Sequence, residues 1–295
     1  MEGRRHPGGN RTIQAALSDV DSGGVQIAVE RWPGAGGTTV GLAHATGFCR
    51  RVWKPVIREL TDQGVTGPIV AWDHRGHGAS TDPPLPVDWW DVARDAKAVL
   101  ADSAAPIVGV GHSMGAAALL MAEILAPGTF AAIVAVEPIV FPPPYQPNDH
   151  HPLVQSALRR RPSFPSREAA LENFSEKPVF AAWDPLALEG YVDCGLVPTG
   201  DEWVLACPPQ REAGFFAAAG THGAWERLGE VLAPVLVLAG EDSDSHPAEF
   251  AAEQAARLGN GTLEIVAGTG HFLPMERPGR VAEMICQTIE SINSS

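Results

Sequence analysis

One stretch restricts the possible folds of this chain more than any other. The apolar run Pro106 to Val110 reads as a short buried strand. It is followed by Gly111-His112-Ser113-Met114-Gly115, and then by the Ala/Leu-rich run Ala116 to Leu125, which reads as a helix. Strand, sharp turn and helix form the context in which G-x-S-x-G carries chemistry. Glycines leave room for a turn too tight for Cβ atoms, so the serine hydroxyl sits at its tip. Around this turn, strands and helices alternate. Strands are expected at Thr38–Ala43, Pro68–Trp72 and Ala131–Val136, and helices at Val52–Leu60 and Trp90–Leu100. Such alternation predicts a mostly parallel sheet with helices on both faces. Two further strands, Thr12–Asp19 and Val25–Trp32, flank the turn signal Asp21-Ser22-Gly23-Gly24 and suit an antiparallel edge.

The pattern breaks at Phe141. Pro142, Pro143, Pro144 and Pro147 open a segment with helical candidates at Ser166–Phe174 and Leu186–Val192 but no strand alternation. More than half of the chain's aromatics (10 Phe, 8 Trp and 2 Tyr in all) fall in it. Regular order resumes with strand Pro234–Leu238, helix Pro247–Leu258, strand Leu263–Val266 and helix Val281–Ile292. The expected layout is a polar disordered tail over 1–10, a core over 11–140 and 227–295, and a mainly helical lid over 141–226.

A neutral serine hydroxyl needs a base within hydrogen-bond reach and a third group to orient that base. Near neutral pH only imidazole both takes and returns a proton. Of the ten histidines, His44, His74, His77 and His112 adjoin glycine-rich turns and suit structural roles. His150, His151 and His222 fall in the expected lid, and His246 opens a helix as a capping-region residue. His271 is the best base, because its loop, Ala267 to Phe272, follows the last strand and ends on the same sheet edge as the serine turn.

Taken together, these residues resemble the α/β-hydrolase fold. Gly111–Gly115 is similar to its nucleophile elbow, and Gly270-His271-Phe272 with Pro274 to Pro278 to its histidine loop. Asp73 to Ser80 resembles the D-x-R-G-x-G-x-S structural turn, and His44 to Trp53 the oxyanion loop, with Ala45 in place of the usual glycine. The resemblance spans about 12–137 and 228–292. It implies Ser113 as nucleophile and His271 as base, with oxyanion donors in the backbone N–H groups of Met114 and Thr46; Gly47 or Phe48 are the alternatives to Thr46. The family's usual place for the orienting acid, after the strand that follows the lid, is Asp244 here, with Asp242 second; its other place, the end of the strand after the elbow, is Glu137. Glu137 is favoured: a carboxylate ending a buried strand needs a partner to offset its desolvation, whereas Glu241 to Asp244 also reads as a solvated turn. A lidded serine hydrolase of the esterase or lactonase kind is implied. A carbon–carbon hydrolase on the same residues, or a non-hydrolytic ligand receptor of this fold, stands as the alternative.

Net charge of −14 argues against nucleic acid and anionic membranes as partners. No apolar run reaches the ~18 residues of a membrane span, and Met1–Asn10 lacks the apolar core of a secretory signal, so a cytoplasmic protein is expected. Neither C-x-x-C nor H-E-x-x-H spacing occurs, and no G-x-G-x-x-G follows a strand. Neither metal nor cofactor is expected. The aromatic lid suggests a small apolar substrate, Arg159-Arg160-Arg161 reads as a solvated helix face, and a homodimer is compatible with the sequence.

Overall fold

The computed structural model describes residues 15–103 and 106–294; the expected tail over 1–10 lies outside them. In chain order the first part holds β1 (Ala16–Ser22), β2 (Val25–Trp32), β3 (Thr39–Ala43), α1 (Lys54–Asp62), β4 (Ile69–Trp72), α2 (Trp89–Leu100), β5 (Ile107–His112), α3 (Met114–Leu125) and β6 (Ala132–Val136). The segment between β6 and the next core strand contains α4 (Pro152–Leu158), β7 (Ser163–Phe164), α5 (Arg167–Ser175), α6 (Pro185–Gly195), β8 (Leu196–Thr199), β9 (Glu202–Leu205) and α7 (Pro209–Ala218). The core closes with β10 (Val235–Gly240), α8 (Ala248–Arg257), β11 (Gly261–Val266), α9 (Leu273–Glu276) and α10 (Pro278–Asn293).

Eight strands form one sheet in the order β1-β2-β4-β3-β5-β6-β10-β11. β1 and β2 pair antiparallel, as do β2 and β4; the remaining pairs are parallel. The fold is thus the mostly parallel, helix-flanked sheet that the alternation predicts. The central strands are buried along their whole length, as parallel strands covered on both faces must be. One apolar core packs α2 and α3 on one face; a second packs α1, α6 and α10 on the other.

Two details depart from the sequence reading. β1 ends at Ser22, not Asp19, because the turn is only Gly23-Gly24. Both glycines have positive φ (66° and 88°), the two-residue hairpin that matches strand twist. The inserted segment is not purely helical: β7, β9 and β8 form a small antiparallel sheet. Strands of two to four residues, one containing Pro198, leave no alternation to detect. Its two expected helices do form, and each starts one residue away from the expected start. Ser166 caps α5 by accepting the Ala169 N–H (3.1 Å), and Asp184 caps α6 by accepting that of Leu186 (2.8 Å).

The serine turn sits where α3 comes down onto the ends of β5 and β3. A Cβ on Gly115 would stand 2.3 Å from the Ala43 carbonyl oxygen, and one on Gly111 2.5 Å from the Ala116 backbone. Both contacts are with backbone that cannot swing aside. Gly115→Ala is therefore expected to destabilise the protein by at least about 2 kcal/mol, read as a lowered urea midpoint. An unchanged midpoint would contradict this packing.

Candidate active site

Ser113 sits at the elbow with φ 55° and ψ −114°, a backbone conformation that non-glycine residues seldom adopt. Such strain costs of order 1–3 kcal/mol and persists only where the surroundings hold it. Here they do. The Ser113 N–H donates to the Val136 carbonyl (2.9 Å), and the Ser113 carbonyl accepts the N–H groups of Ala117 (3.1 Å) and Ile139 (3.3 Å). The elbow is thereby tied to the turn that follows β6.

That turn carries Glu137, also at positive φ (48°) and with a fully buried side chain. Its Oε1 accepts the Gly240 N–H (2.9 Å). Its Oε2 accepts the Ser243 hydroxyl (2.7 Å) and His271 Nδ1–H (2.5 Å), with the Ser245 hydroxyl at 3.3 Å. Burial alone would push this carboxyl up. The His246 ring beside it, hydrogen bonds from His271 and Gly240, and the charge of His271 outweigh that and hold the group well below the usual carboxylate range. Asp244 and Asp242 are exposed on the turn after β10. The carboxylate on His271 Nδ1 is Glu137.

His271 reaches the elbow from β11. His112, the residue before Ser113, donates its Nε2–H to the His271 carbonyl (2.8 Å), and the two rings lie 4.9 Å apart. With Nδ1 engaged by Glu137 and by the Ser245 hydroxyl (2.9 Å), Nε2 is the nitrogen left for a substrate-side proton. Ser243, Ser245 and His246 are the members of this cluster that the sequence did not reveal. His246 does stand at the opening of α8, next to its N-cap Pro247, but its ring is fully buried beside Glu137; nothing in a D-S-D-S-H turn reveals that burial.

The loop after β3 is locked by three buried histidines. His44 Nε2 accepts the His74 N–H (3.0 Å), and its Nδ1–H donates to the Ala45 carbonyl (2.7 Å). His74 Nε2–H donates back to the His44 carbonyl (3.0 Å). His77 Nε2 accepts the Gly47 N–H (2.9 Å) while Nδ1–H donates to the Arg75 carbonyl (3.1 Å). The rings of His44 and His77, each with one donor and one acceptor nitrogen, are thus needed neutral. Burial pushes all three down, His74 to about 3 and His77 to about 4, with His44 well below its ordinary value. The Gly47 amide is spent on His77, and that of Phe48 on the Ala45 carbonyl (3.2 Å). The Thr46 hydroxyl donates to Met114 Sδ (3.3 Å), which sets these two residues side by side. Met114 opens α3, where an N–H has no intrahelical acceptor.

Among the described residues, two clusters have the residue types of metal sites. In one, Cys49, Asp73 and Cys194, the cation position is already filled: Arg50 Nη1 bonds Asp73 and Cys194 Sγ (3.1 Å). In the other, Glu137, His246 and His271, the 2.5 Å hydrogen bond brings its atoms closer than two ligands of one ion stand.

The inserted segment packs on the site through aromatics. Trp183 lies against Phe48 (5.2 Å) and Phe272 (5.4 Å), and Tyr191 against Phe48 (5.4 Å). α6 is sewn to the core: Lys54 Nζ pairs with Asp193 (3.0 Å), the Asp184 N–H donates to the Met275 carbonyl (2.7 Å), and Gly190 rides so close to the Arg51 carbonyl that a Cβ would stand 2.1 Å from it. α4 instead packs on α7 in a small cluster of its own, Val154 and Ala157 with Ala213 and Ala217. The arginine run is not a uniform solvated face. Arg159 and Arg161 are exposed, but Arg160 turns inward and bonds Glu212 and the Tyr191 hydroxyl. A cavity of about 700 Å³ opens between α5 and α6, lined by Leu171, Phe180, Trp183 and Leu188 with glutamates at its edge. Trp183 forms its wall toward Phe272.

Residues 42–284 match the family model of the alpha/beta hydrolase family, and the chain belongs to that family. The lipase LipV of Mycobacterium tuberculosis is 26% identical over 275 residues, covering 88% of this chain and 97% of that protein. The abhydrolase domain-containing protein AKT2 of Alternaria alternata is 27% identical over 225 residues, 63% of this chain and 83% of that protein. Among solved structures, the peroxisomal alpha-beta-hydrolase Lpx1 of Saccharomyces cerevisiae superposes with a TM-score of 0.78 at 19% identity, over 92% of this chain and 83% of that one.

Burial also makes the fold acid-sensitive. Like the three loop histidines, His112 is pushed down to about 3 and His222 to about 4. Unfolded, each would titrate near ~6.5. Above that value neither state binds the proton. Below it the unfolded chain takes up protons that the folded chain refuses, so stability is lost as pH falls from about 6.5 toward these lowered values. Urea unfolding between about pH 6.5 and 5, above the ordinary carboxylate range, is expected to lose more than the ~1.4 kcal/mol per pH unit of one titrating group. A flat profile would mean that the rings are not held neutral.

Proposed function

We propose that this protein is a serine hydrolase that cleaves a largely apolar ester or lactone through an acyl-enzyme. The observation that carries the reading is the 2.5 Å bond from His271 Nδ1 to a buried Glu137, on a loop tied to the Ser113 elbow. Family membership supports hydrolase chemistry in general, and the lipase relative favours an ester bond.

Each residue then has a task. Ser113 Oγ attacks the substrate carbonyl as its proton passes to His271 Nε2. Glu137 keeps the second proton on Nδ1 and stabilises the imidazolium that forms. The oxyanion is received by the N–H groups of Met114 and Thr46, fixed before the charge develops; losing one such donor typically costs ~10²-fold or more in rate. His271 returns the proton to the leaving alkoxide, or to the ring-opened hydroxyl of a lactone. It then takes a proton from the water that releases the acyl group. The inserted segment acts as a lid whose aromatic face, Trp183 and Tyr191 over Phe48 and Phe272, favours an apolar substrate. None of these steps calls for a metal or cofactor.

Short p-nitrophenyl esters and a panel of lactones test this. Turnover and fluorophosphonate labelling are expected, and Ser113→Ala is expected to abolish both. Glu137→Gln is expected to lower kcat by on the order of 10³ to 10⁴, while Asp244→Asn is expected to be nearly silent. Absence of both turnover and labelling would leave a ligand receptor of the same fold; a large loss in Asp244→Asn alone would move the acid to the turn after β10.

A further inference from the structure

Two cysteines that the proposed reaction does not use meet across the seam between the core and the inserted segment. Cys49 caps the short turn Arg50–Trp53 that leads into α1, and Cys194 lies in the last turn of α6. Their sulfurs stand within 4.8 Å of each other. The approach is built on backbone. The Cys49 thiol donates to the Gly190 carbonyl (3.6 Å), and in an α-helix that carbonyl also receives the N–H four residues on, which is that of Cys194. Cys49 Sγ therefore rests on the same helical turn as Cys194. Rotation about the two Cα–Cβ bonds then brings the sulfurs toward the ~2.05 Å of a disulfide. The two thiols differ in their surroundings. Cys49 is fully buried, and burial pushes its thiol up. Cys194 is 8% exposed, and Arg50 Nη1–H donates to its sulfur (3.1 Å). A cation beside a sulfur favours the negative charge of an attacking thiolate. The Cys194 S–H in turn donates to the two Asp73 oxygens (3.6 and 3.7 Å), so an acceptor for its proton is already in contact.

We propose that Cys49 and Cys194 form a modification site, a thiol pair that a peroxide converts into a reversible disulfide between the core and the inserted segment. Cys194 Sγ attacks one peroxide oxygen, and the O–O bond breaks. The thiol proton passes by way of Asp73 to the departing oxygen, which leaves as water, and Cys194 becomes a sulfenic acid. Cys49 Sγ then attacks the Cys194 sulfur. The S–S bond forms, the S–O bond breaks, and the Cys49 proton leaves with the hydroxyl as a second water. The two thiols together lose two electrons, and the peroxide is reduced to two waters. A thiol reductant reverses the step by exchange. The surroundings survive the change, because Arg50 keeps its ion pairs with Asp73 and Glu30. The new bond joins the residue after Phe48 to the helix whose Tyr191 packs on Phe48 (5.4 Å), and so holds that contact shut. Cys207 and Cys286 take no part in the cluster.

The test treats the folded full chain with hydrogen peroxide at neutral pH, then alkylates the remaining thiols in urea. Free thiols are expected to fall from four to two. Non-reducing peptide mass spectrometry is expected to find Cys49 and Cys194 joined within one chain, the pair lighter than its two reduced peptides by two hydrogens. Dithiothreitol is expected to restore both thiols. In Cys49→Ser, dimedone is expected to label Cys194 as the trapped sulfenic acid; in Cys194→Ser, Cys49 is expected to stay reduced. Full alkylation of Cys49 and Cys194 after peroxide, a disulfide made by other pairs or between chains, or oxidation of Cys194 past the sulfenic acid with Cys49 still a thiol would each overturn the proposal. The measurement needs no substrate, so failure of the ester assays would sink the hydrolase reading and leave this one standing.

Discussion

The architecture depends on one close approach. The first turn of α3 lies so near the end of β3 that Gly115 has the Ala43 and His44 carbonyls where a side chain would be. That contact presses Ser113 into its strained conformation and sets Met114 beside Thr46. The near-complete burial of α3, with all residues but Leu125 covered, keeps the helix from backing away. The strain at Ser113 is held by packing over the whole helix together with the backbone hydrogen bonds of Ser113 itself.

A second organising theme is how buried polar groups are matched. Glu137 is deep in the protein yet receives donors from Gly240, Ser243 and His271, so its charge is stabilised rather than expelled. On the other side of the elbow the loop after β3 uses neutral imidazoles instead, each with one nitrogen as donor and one as acceptor wherever both are bonded. Asp73 is the matching anion on that side: it accepts the N–H groups of Arg50 (2.7 Å) and Ala79 (2.8 Å) and pairs with the Arg50 guanidinium, which fixes the turn from Asp73 to Ser80.

The parts legible in the sequence were those with a strong local signal. The parallel core is announced by apolar strands alternating with helices, and Ser113 by glycines that no side chain can replace. His271 and Glu137 follow from their places at strand ends, which topology carries to one edge. What the sequence hid depends on long-range contact. The role of Ser245 comes from a hydroxyl 26 positions from His271. The inward turn of Arg160 needs Glu212 and Tyr191 from other elements, and a run of three arginines gives no hint of which one is covered. The small sheet in the inserted segment is too short for periodicity to register.

The stitching of the inserted segment runs along both of its margins, and this has a mechanical consequence. α6 is anchored by the Lys54–Asp193 ion pair, by backbone contact at Gly190 and by the Met275 carbonyl. α7 is anchored by Trp89 Nε1–H on the Phe215 carbonyl (3.2 Å) and by the burial of Phe215 in the main core. Arg160, just past α4, joins the two margins through Glu212 and the Tyr191 hydroxyl. A strap riveted at both ends transmits load instead of hinging: a push on α4 is felt at Tyr191, and so at Phe48.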